Sequence, residues 1–215
     1  NYVGWNNMAY AGRLNYSYKG KYLLTVSGRF DGSSRLSGDQ WDFFPSAALG
    51  WNVSDEAFFN PLKQVVSNLK VRASYGVSGN YNIAPYSTQS TLVALPNMGF
   101  GDVPAPGYQF EGTVANPNVN WEKSASYNLG LDLGFFKNRV NASVELYNTV
   151  TSDILLGRDL PFSSGAVRVI ENIAETRNRG VELTLNSVNI ENKNFRWSST
   201  LTFSRNKEEI TELTN

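Results

Sequence analysis

From Trp121 to Tyr147 the chain reads WEKSASYNLGLDLGFFKNRVNASVELY, and the alternation within this stretch constrains the fold more than any other feature. Tyr127, Leu129, Leu131, Leu133 and Phe135 are large and apolar; Asn128, Gly130, Asp132 and Gly134 between them are small or polar. After Lys137-Asn138-Arg139 the pattern resumes, with Val140, Ala142, Val144 and Leu146 on one side and Asn141, Ser143, Glu145 and Tyr147 on the other. Successive side chains of a strand point to opposite faces. A period of two reversed by a short polar turn therefore predicts an antiparallel hairpin with one apolar face.

Composition narrows the chemistry. Lys plus Arg and Asp plus Glu both total 19, so there is no basic excess of the kind a nucleic-acid partner requires. Cysteine and histidine are absent, which excludes disulfides, thiolate sites and imidazole-based catalysis or metal binding. No apolar run approaches the ~18 to 20 residues of a transmembrane helix, and NYVGWNNMAY lacks the charged-then-apolar pattern of a signal peptide. With 11 Tyr, 12 Phe and 5 Trp and no long helical periodicity, the expectation is an all-β protein.

Further alternating stretches predict strands over Tyr10–Tyr18, Tyr22–Phe30, Phe44–Trp51, Leu69–Val77, Gly180–Asn186 and Phe195–Ser204. Lys19-Gly20-Lys21 reads as a tight turn. Asp31–Phe43 reads as a loop, and Ser54–Asn68 as a connector with short helical turns, Ser54 capping the first and Pro61 starting the second. Gly79–Asn120 is expected to be a long irregular connection, Thr149–Arg177 a long connection with some extended character at Asp153–Leu156 and Val167–Ile173, and the residues after Ser204 a polar tail.

An apolar face of this kind turns either to a second sheet or to lipid. Three features favour lipid. Strands of about nine residues match the ~9 to 11 of a tilted membrane strand. Connections alternate short and long, as in outer-membrane barrels with short periplasmic turns and long outer loops. Aromatic residues, among them Tyr18, Tyr22, Trp51, Phe135 and Trp197, sit at the ends of apolar faces like an interfacial girdle. Strand parity then puts both chain ends on the long-loop side, the expectation for an interior piece of a larger barrel.

Several segments resemble the SusC/RagA family of TonB-dependent outer-membrane transporters. They are Arg29–Arg35 (RFDGSSR), Phe43–Ser46, Gly50-Trp51, Leu69–Asn80 (LKVRASYGVSGN), Asn116–Phe135 (NPNVNWEKSASYNLGLDLGF), Tyr147–Leu156 and Asn172–Leu183 (NIAETRNRGVEL). The resemblance implies a barrel of about 22 strands, of which residues 1–215 supply about eight antiparallel transmembrane strands, an open curved sheet when taken alone. It also implies import of an oligosaccharide or peptide, a plug domain contacting TonB, a SusD-like surface lipoprotein over the mouth, and outer-membrane lipid around the wall. The plug, the TonB-contacting segment and both native termini are expected outside this stretch. Two other readings remain at this level: a small outer-membrane barrel with a structural or adhesion role, and a soluble carbohydrate-binding β-sandwich.

No catalytic residue, metal site or cofactor is expected, and the chain does not read as an enzyme. Asp31, Asp39, Asp42, Asp153 and Asp159 read as solvated loop carboxylates, and DGSSRLSGD lacks the ligand spacing of a calcium loop. Trp41, Tyr81, Tyr86, Tyr108, Phe110 and Trp121 lie in or beside long loops, where aromatic faces can stack on a sugar or pack on a partner. Arg13, Arg29, Lys70, Arg72, Asp132, Glu145, Glu182 and Arg196 are expected to face the lumen, paired across neighbouring strands.

Overall fold

A computed structural model of the chain describes residues 3–100, 103–110 and 112–213. The first four strands are β1 (Asn7–Tyr18), β2 (Tyr22–Ser33), β3 (Trp41–Asn52) and β4 (Val66–Asn80). A separate hairpin follows, β5 (Leu92–Phe100) and β6 (Val103–Phe110), then the short β7 (Thr113–Val114). The last four are β8 (Glu122–Phe135), β9 (Val140–Asp159), β10 (Arg168–Glu191) and β11 (Arg196–Leu213). The main sheet runs β1-β2-β3-β4-β8-β9-β10-β11, with β7 added in parallel beside β10. Every other pairing in it is antiparallel, and β1 and β11 do not pair with each other, so the sheet is open.

Register fixes the faces, because directly paired residues point the same way. One row crosses the whole sheet: Leu14, Val26, Ala47, Tyr75, Tyr127, Asn148, Arg179, Lys207. Tyr127, at the long-loop end of the β8 apolar belt, thus shares a row with Leu14 at the middle of the β1 belt. The belt is displaced along successive strands, which is the stagger that a tilted barrel wall requires. Its side chains are not covered by protein. Leu14 is 65% exposed, Leu49 60%, Leu129 50%, Leu146 49% and Leu201 60%. The sandwich alternative needs a second sheet over these leucines, and the small closed barrel needs β1 beside β11; neither is present among the described residues.

The short turns follow from their residues. Lys19 and Gly20 take φ of 52° and 69°, and the Lys21 amide donates to the Tyr18 carbonyl at 3.0 Å, the left-handed pair that matches hairpin twist. Glu56 fastens this turn to the β3–β4 connector. Its carboxylate accepts from Lys21 Nζ at 2.9 Å, Tyr22 Oη at 2.7 Å and Trp51 Nε1 at 3.4 Å.

Several expected boundaries are corrected. The Asp31–Phe43 loop shrinks to residues 34–40, because β2 runs to Ser33 and β3 begins at Trp41. Most of Thr149–Arg177 is strand, with β9 reaching Asp159 and β10 starting at Arg168. The tail after Ser204 continues β11 to Leu213, and Gly79–Asn120 holds the β5–β6 hairpin and β7. Ser54 lies inside a 3-10 turn (Val53–Asp55) rather than capping it, and Pro61 lies inside the second (Ala57–Leu62). The common reason is that alternation marks where one face meets an apolar medium. Beyond that belt the ladder continues between polar neighbours such as Ser124–Thr151 and Ser126–Thr149, whose hydroxyls pair at 2.8 and 2.9 Å.

Candidate functional site

The face opposite the apolar belt carries Arg13, Arg29, Lys70, Arg72, Asp132, Glu145, Glu182 and Arg196. Register puts Arg13 beside Ser27, Arg29 beside Phe44, Lys70 beside Asp132, Arg72 beside Gly130, and Glu145 between Gly130 and Glu182. Arg196 pairs with Glu191 at the short-turn end of β10–β11. Arg72 forms the centre of a three-strand network. Its Nε and Nη2 reach Asp132 at 2.8 and 3.0 Å, and Nη2 reaches Glu145 at 2.7 Å. Ser143 Oγ donates to Asp132 at 2.8 Å. The reach to β9 depends on Gly130, over which the guanidinium lies: a Cβ there would sit 2.9 Å from Arg72 Cζ. Arg29 pairs with Asp31 on its own strand at 2.8 Å, and Arg196 stands 3.7 Å from Glu191. Arg13, Lys70 and Glu182 make no ion pair among the described residues.

At the long-loop end the sheet gains a small core of Leu36, Phe44, Ile83, Val119 and Trp121. Asn116–Trp121 holds it together. Asn116 Nδ2 donates to the Ile170 carbonyl at 2.7 Å, and its Oδ1 accepts the Asn118 amide at 3.0 Å. Asn172 brackets Asn120, accepting its amide at 3.0 Å and donating to its carbonyl at 3.0 Å, while also donating to the Asp153 carbonyl at 2.7 Å. Asn120 Oδ1 in turn accepts the Asp39 amide at 2.8 Å. Asparagine suits these positions because one amide both donates and accepts, closing backbone groups that no ladder satisfies.

The six aromatic candidates do not converge. Trp121 is 2% exposed, with Tyr81 and Phe44 edge-on to it at 5.0 and 5.3 Å. It is a packing group, since its ring has no open face for a ligand. Trp41 lies on the apolar side over Gly32, stacked on Phe30 at 5.1 Å and Tyr10 at 6.1 Å, as a member of the girdle. Tyr81 accepts from Asn7 Nδ2 at 2.8 Å beside the small core. Tyr86 and Tyr108 are exposed, and Phe110 shares Tyr108's face of β6 with partial exposure. Residue type alone gives no signal for Arg35, although it closes the RFDGSSR motif. Its guanidinium stacks on Trp5 at 4.1 Å and donates to the Ile83 carbonyl at 3.2 Å.

Two polar hollows open at this end. One, of about 500 Å³, is bordered by Asp39, Asp42, Asn118, Lys123, Asp153 and Glu171; the other, of about 360 Å³, by Trp5, Arg35, Tyr86 and Gln89. In the first, Asp42 pairs with Lys123 and Glu171 with Arg158. No three acidic side chains among the described residues gather as a metal site. Donors and acceptors over an open hollow suit reversible binding of a polar solute.

Comparison with known proteins matches this arrangement. Residues 2–214 match the family model of the TonB dependent receptor-like β-barrel. TonB-dependent receptor P26 of Formosa agariphila is 40% identical over 213 residues, 99% of this chain and 21% of that protein. TonB-dependent receptor SusC of Bacteroides thetaiotaomicron is 36% identical over 214 residues, 96% of this chain and 21% of SusC. The solved RagAB peptide importer in its open-open state superposes with a TM-score of 0.86 at 29% identity, over 97% of this chain and 22% of that one. The chain thus spans about a fifth of the length of the relatives it matches. An open, staggered, antiparallel wall with one uncovered apolar face and this match across its length places the chain in the TonB-dependent receptor family, among relatives of SusC and RagA, as part of the β-barrel.

Proposed function

We propose that the receptor containing this chain imports a bulky polar nutrient, an oligosaccharide or a peptide, across the outer membrane. The observation that carries this reading is the two-sided wall: uncovered leucines on one face, and on the other Arg13, Arg29, Lys70, Arg72, Asp132, Glu145, Glu182 and Arg196. Lipid meets the first face. The second lines the lumen, against a plug segment that lies outside this chain and couples to TonB. The long-loop end faces outward, where Tyr86, Tyr108 and Phe110 are accessible to the solute or to a SusD-like lipoprotein lid. The peptide arm is supported by the likeness to the RagAB peptide importer and the oligosaccharide arm by the resemblance to the SusC/RagA family; oligosaccharides and peptides are both rich in hydrogen-bonding groups.

Uptake tests the proposal. Cells lacking the full receptor gene are given fluorescently labelled oligosaccharide and peptide pools, with and without the restored gene. Receptor-dependent accumulation of either pool, abolished when TonB is removed, supports import. Equal accumulation with and without the receptor would rule it out. Affinity purification of the tagged full receptor from native membranes tests the lid, with a stoichiometric surface lipoprotein as the expected companion.

A further inference from the structure

On most strands the apolar belt ends, at the long-loop side, in aromatic rings: Tyr10, Phe30 with Trp41, Tyr75 and Tyr127. On β10 and β11 it ends differently. Moving toward the long loops, the lipid-side positions read Leu183, Val181, Arg179, Arg177 on β10 and Phe203, Arg205, Lys207, Glu209 on β11. Register aligns them as Leu146–Val181–Arg205, then Asn148–Arg179–Lys207, then Val150–Arg177–Glu209. Four cations therefore stand within one to three side-chain steps of the apolar Val144–Leu183–Phe203 row, on the face opposite the Arg72 network.

This charge is not neutralised from within. Glu209 is the carboxylate of the patch, 3.8 Å from Arg179 and also paired with Lys207. Arg177 is held by the neutral Asn148 Oδ1 at 2.7 Å. Arg205 is exposed and makes no ion pair among the described residues. Between them runs a shallow groove of about 460 Å³, bordered by Leu146 and Val181 as well as by Arg177, Arg179, Arg205 and Lys207. An apolar floor that ends under several guanidinium groups complements an amphiphile with an anionic head. Arginine pairs in bidentate fashion with phosphate oxygens, and basic side chains near an anionic lipid surface are each attracted to it.

We propose that this groove is a binding site for a phosphorylated membrane lipid, its phosphate on Arg179, Arg205 and Lys207 and its acyl chain along Leu146 and Val181. The leaflet, outer rather than inner, rests on the orientation proposed above; the phosphate selectivity does not. The full-length receptor, purified in detergent, is titrated by native mass spectrometry with diphosphorylated lipid A and with the same lipid after enzymatic dephosphorylation. The phosphorylated form is expected to bind about tenfold more tightly. R179Q/R205Q/K207Q is expected to remove that preference, and R205Q alone, at an exposed unpaired position, to reduce it by a factor of about three. Heat-modifiable gel mobility confirms that each variant is folded. Equal binding of the two lipids, or a folded triple variant that retains the preference, would overturn the proposal. Displacement of the lipid by millimolar inorganic phosphate would overturn it too, by identifying a free-anion site. Orientation is read separately by labelling Ser164→Cys, in the β9–β10 loop, on intact cells with an impermeant maleimide. Labelling supports the outer leaflet, and protection until the cells are broken would overturn the leaflet assignment while leaving the selectivity result standing.

Discussion

Glu56 shows how much one side chain can fasten at the turn end of a wall. The Lys21 ammonium and then the Tyr22 hydroxyl hold its carboxyl well below the usual carboxylate range, at about 2. A depressed carboxylate pKa stabilises the fold above the ordinary value, here 4.5, and that contribution disappears as the pH falls through about 2. Glu56→Gln should therefore destabilise the full receptor at neutral pH, with the gap from wild type persisting to about pH 4.5 and closing toward pH 2. Tryptophan fluorescence during acid titration checks this, since Trp51 touches Glu56. Gly79 offers a steric counterpart. A Cβ there would meet the Phe44 ring at 2.1 Å, whereas one at Gly12 would meet nothing within 4 Å. Gly79→Ala is expected to cost about 1 to 3 kcal/mol, and Gly12→Ala little, in urea unfolding of the receptor in micelles.

Between strands, the polar face is organised by long side chains crossing glycines. Arg72 spans β8 at Gly130 to join β4 to β9, and all three partners are partly solvated, so Arg72→Gln should cost only about 1 kcal/mol. The long-loop end depends on a different device. Asn172→Ala removes three hydrogen bonds to Asn120 and Asp153 backbone groups, an expected loss of about 2 kcal/mol. Hydrogen exchange should localise that loss, with faster exchange at residues 36–40 and 116–121 and no change in β1–β2. Element boundaries were partly legible in advance: alternation marked the belt segments of all eight long strands. It did not mark their extensions, such as 149–159 and 205–213, where polar and charged residues stand on both faces and side-chain polarity stops reporting on the backbone.

For the whole molecule, the solvent on each face decides what a substitution does. Leu131→Arg, in the middle of the β8 belt, is expected to destabilise the receptor by about 2 to 4 kcal/mol in lipid vesicles. Ser126→Arg, on the polar face of the same strand, should be tolerated. Unfolding titrations in vesicles compare the two, and equal costs would contradict the assignment of the faces. The alternation at Tyr127–Leu146 determined by itself that the chain forms an antiparallel sheet with one apolar face, because side-chain direction along a strand has a period of two. The lack of Cys and His likewise removed thiol and imidazole chemistry from these 215 residues. Period alone left open what meets that face, since a second sheet and a membrane impose the same one. Strand length, loop asymmetry and the aromatic girdle favoured lipid, and the tertiary structure decided that no second sheet among the described residues covers it. The same holds for the sites. Trp121 and Tyr86 are both aromatic residues near loops in the sequence, yet one is buried against Phe44 and Tyr81 and the other exposed. The Arg179–Lys207 row forms only when β10 and β11 pair in register, because adjacency across a ladder is fixed by hydrogen bonding between distant segments and leaves no local trace in either one.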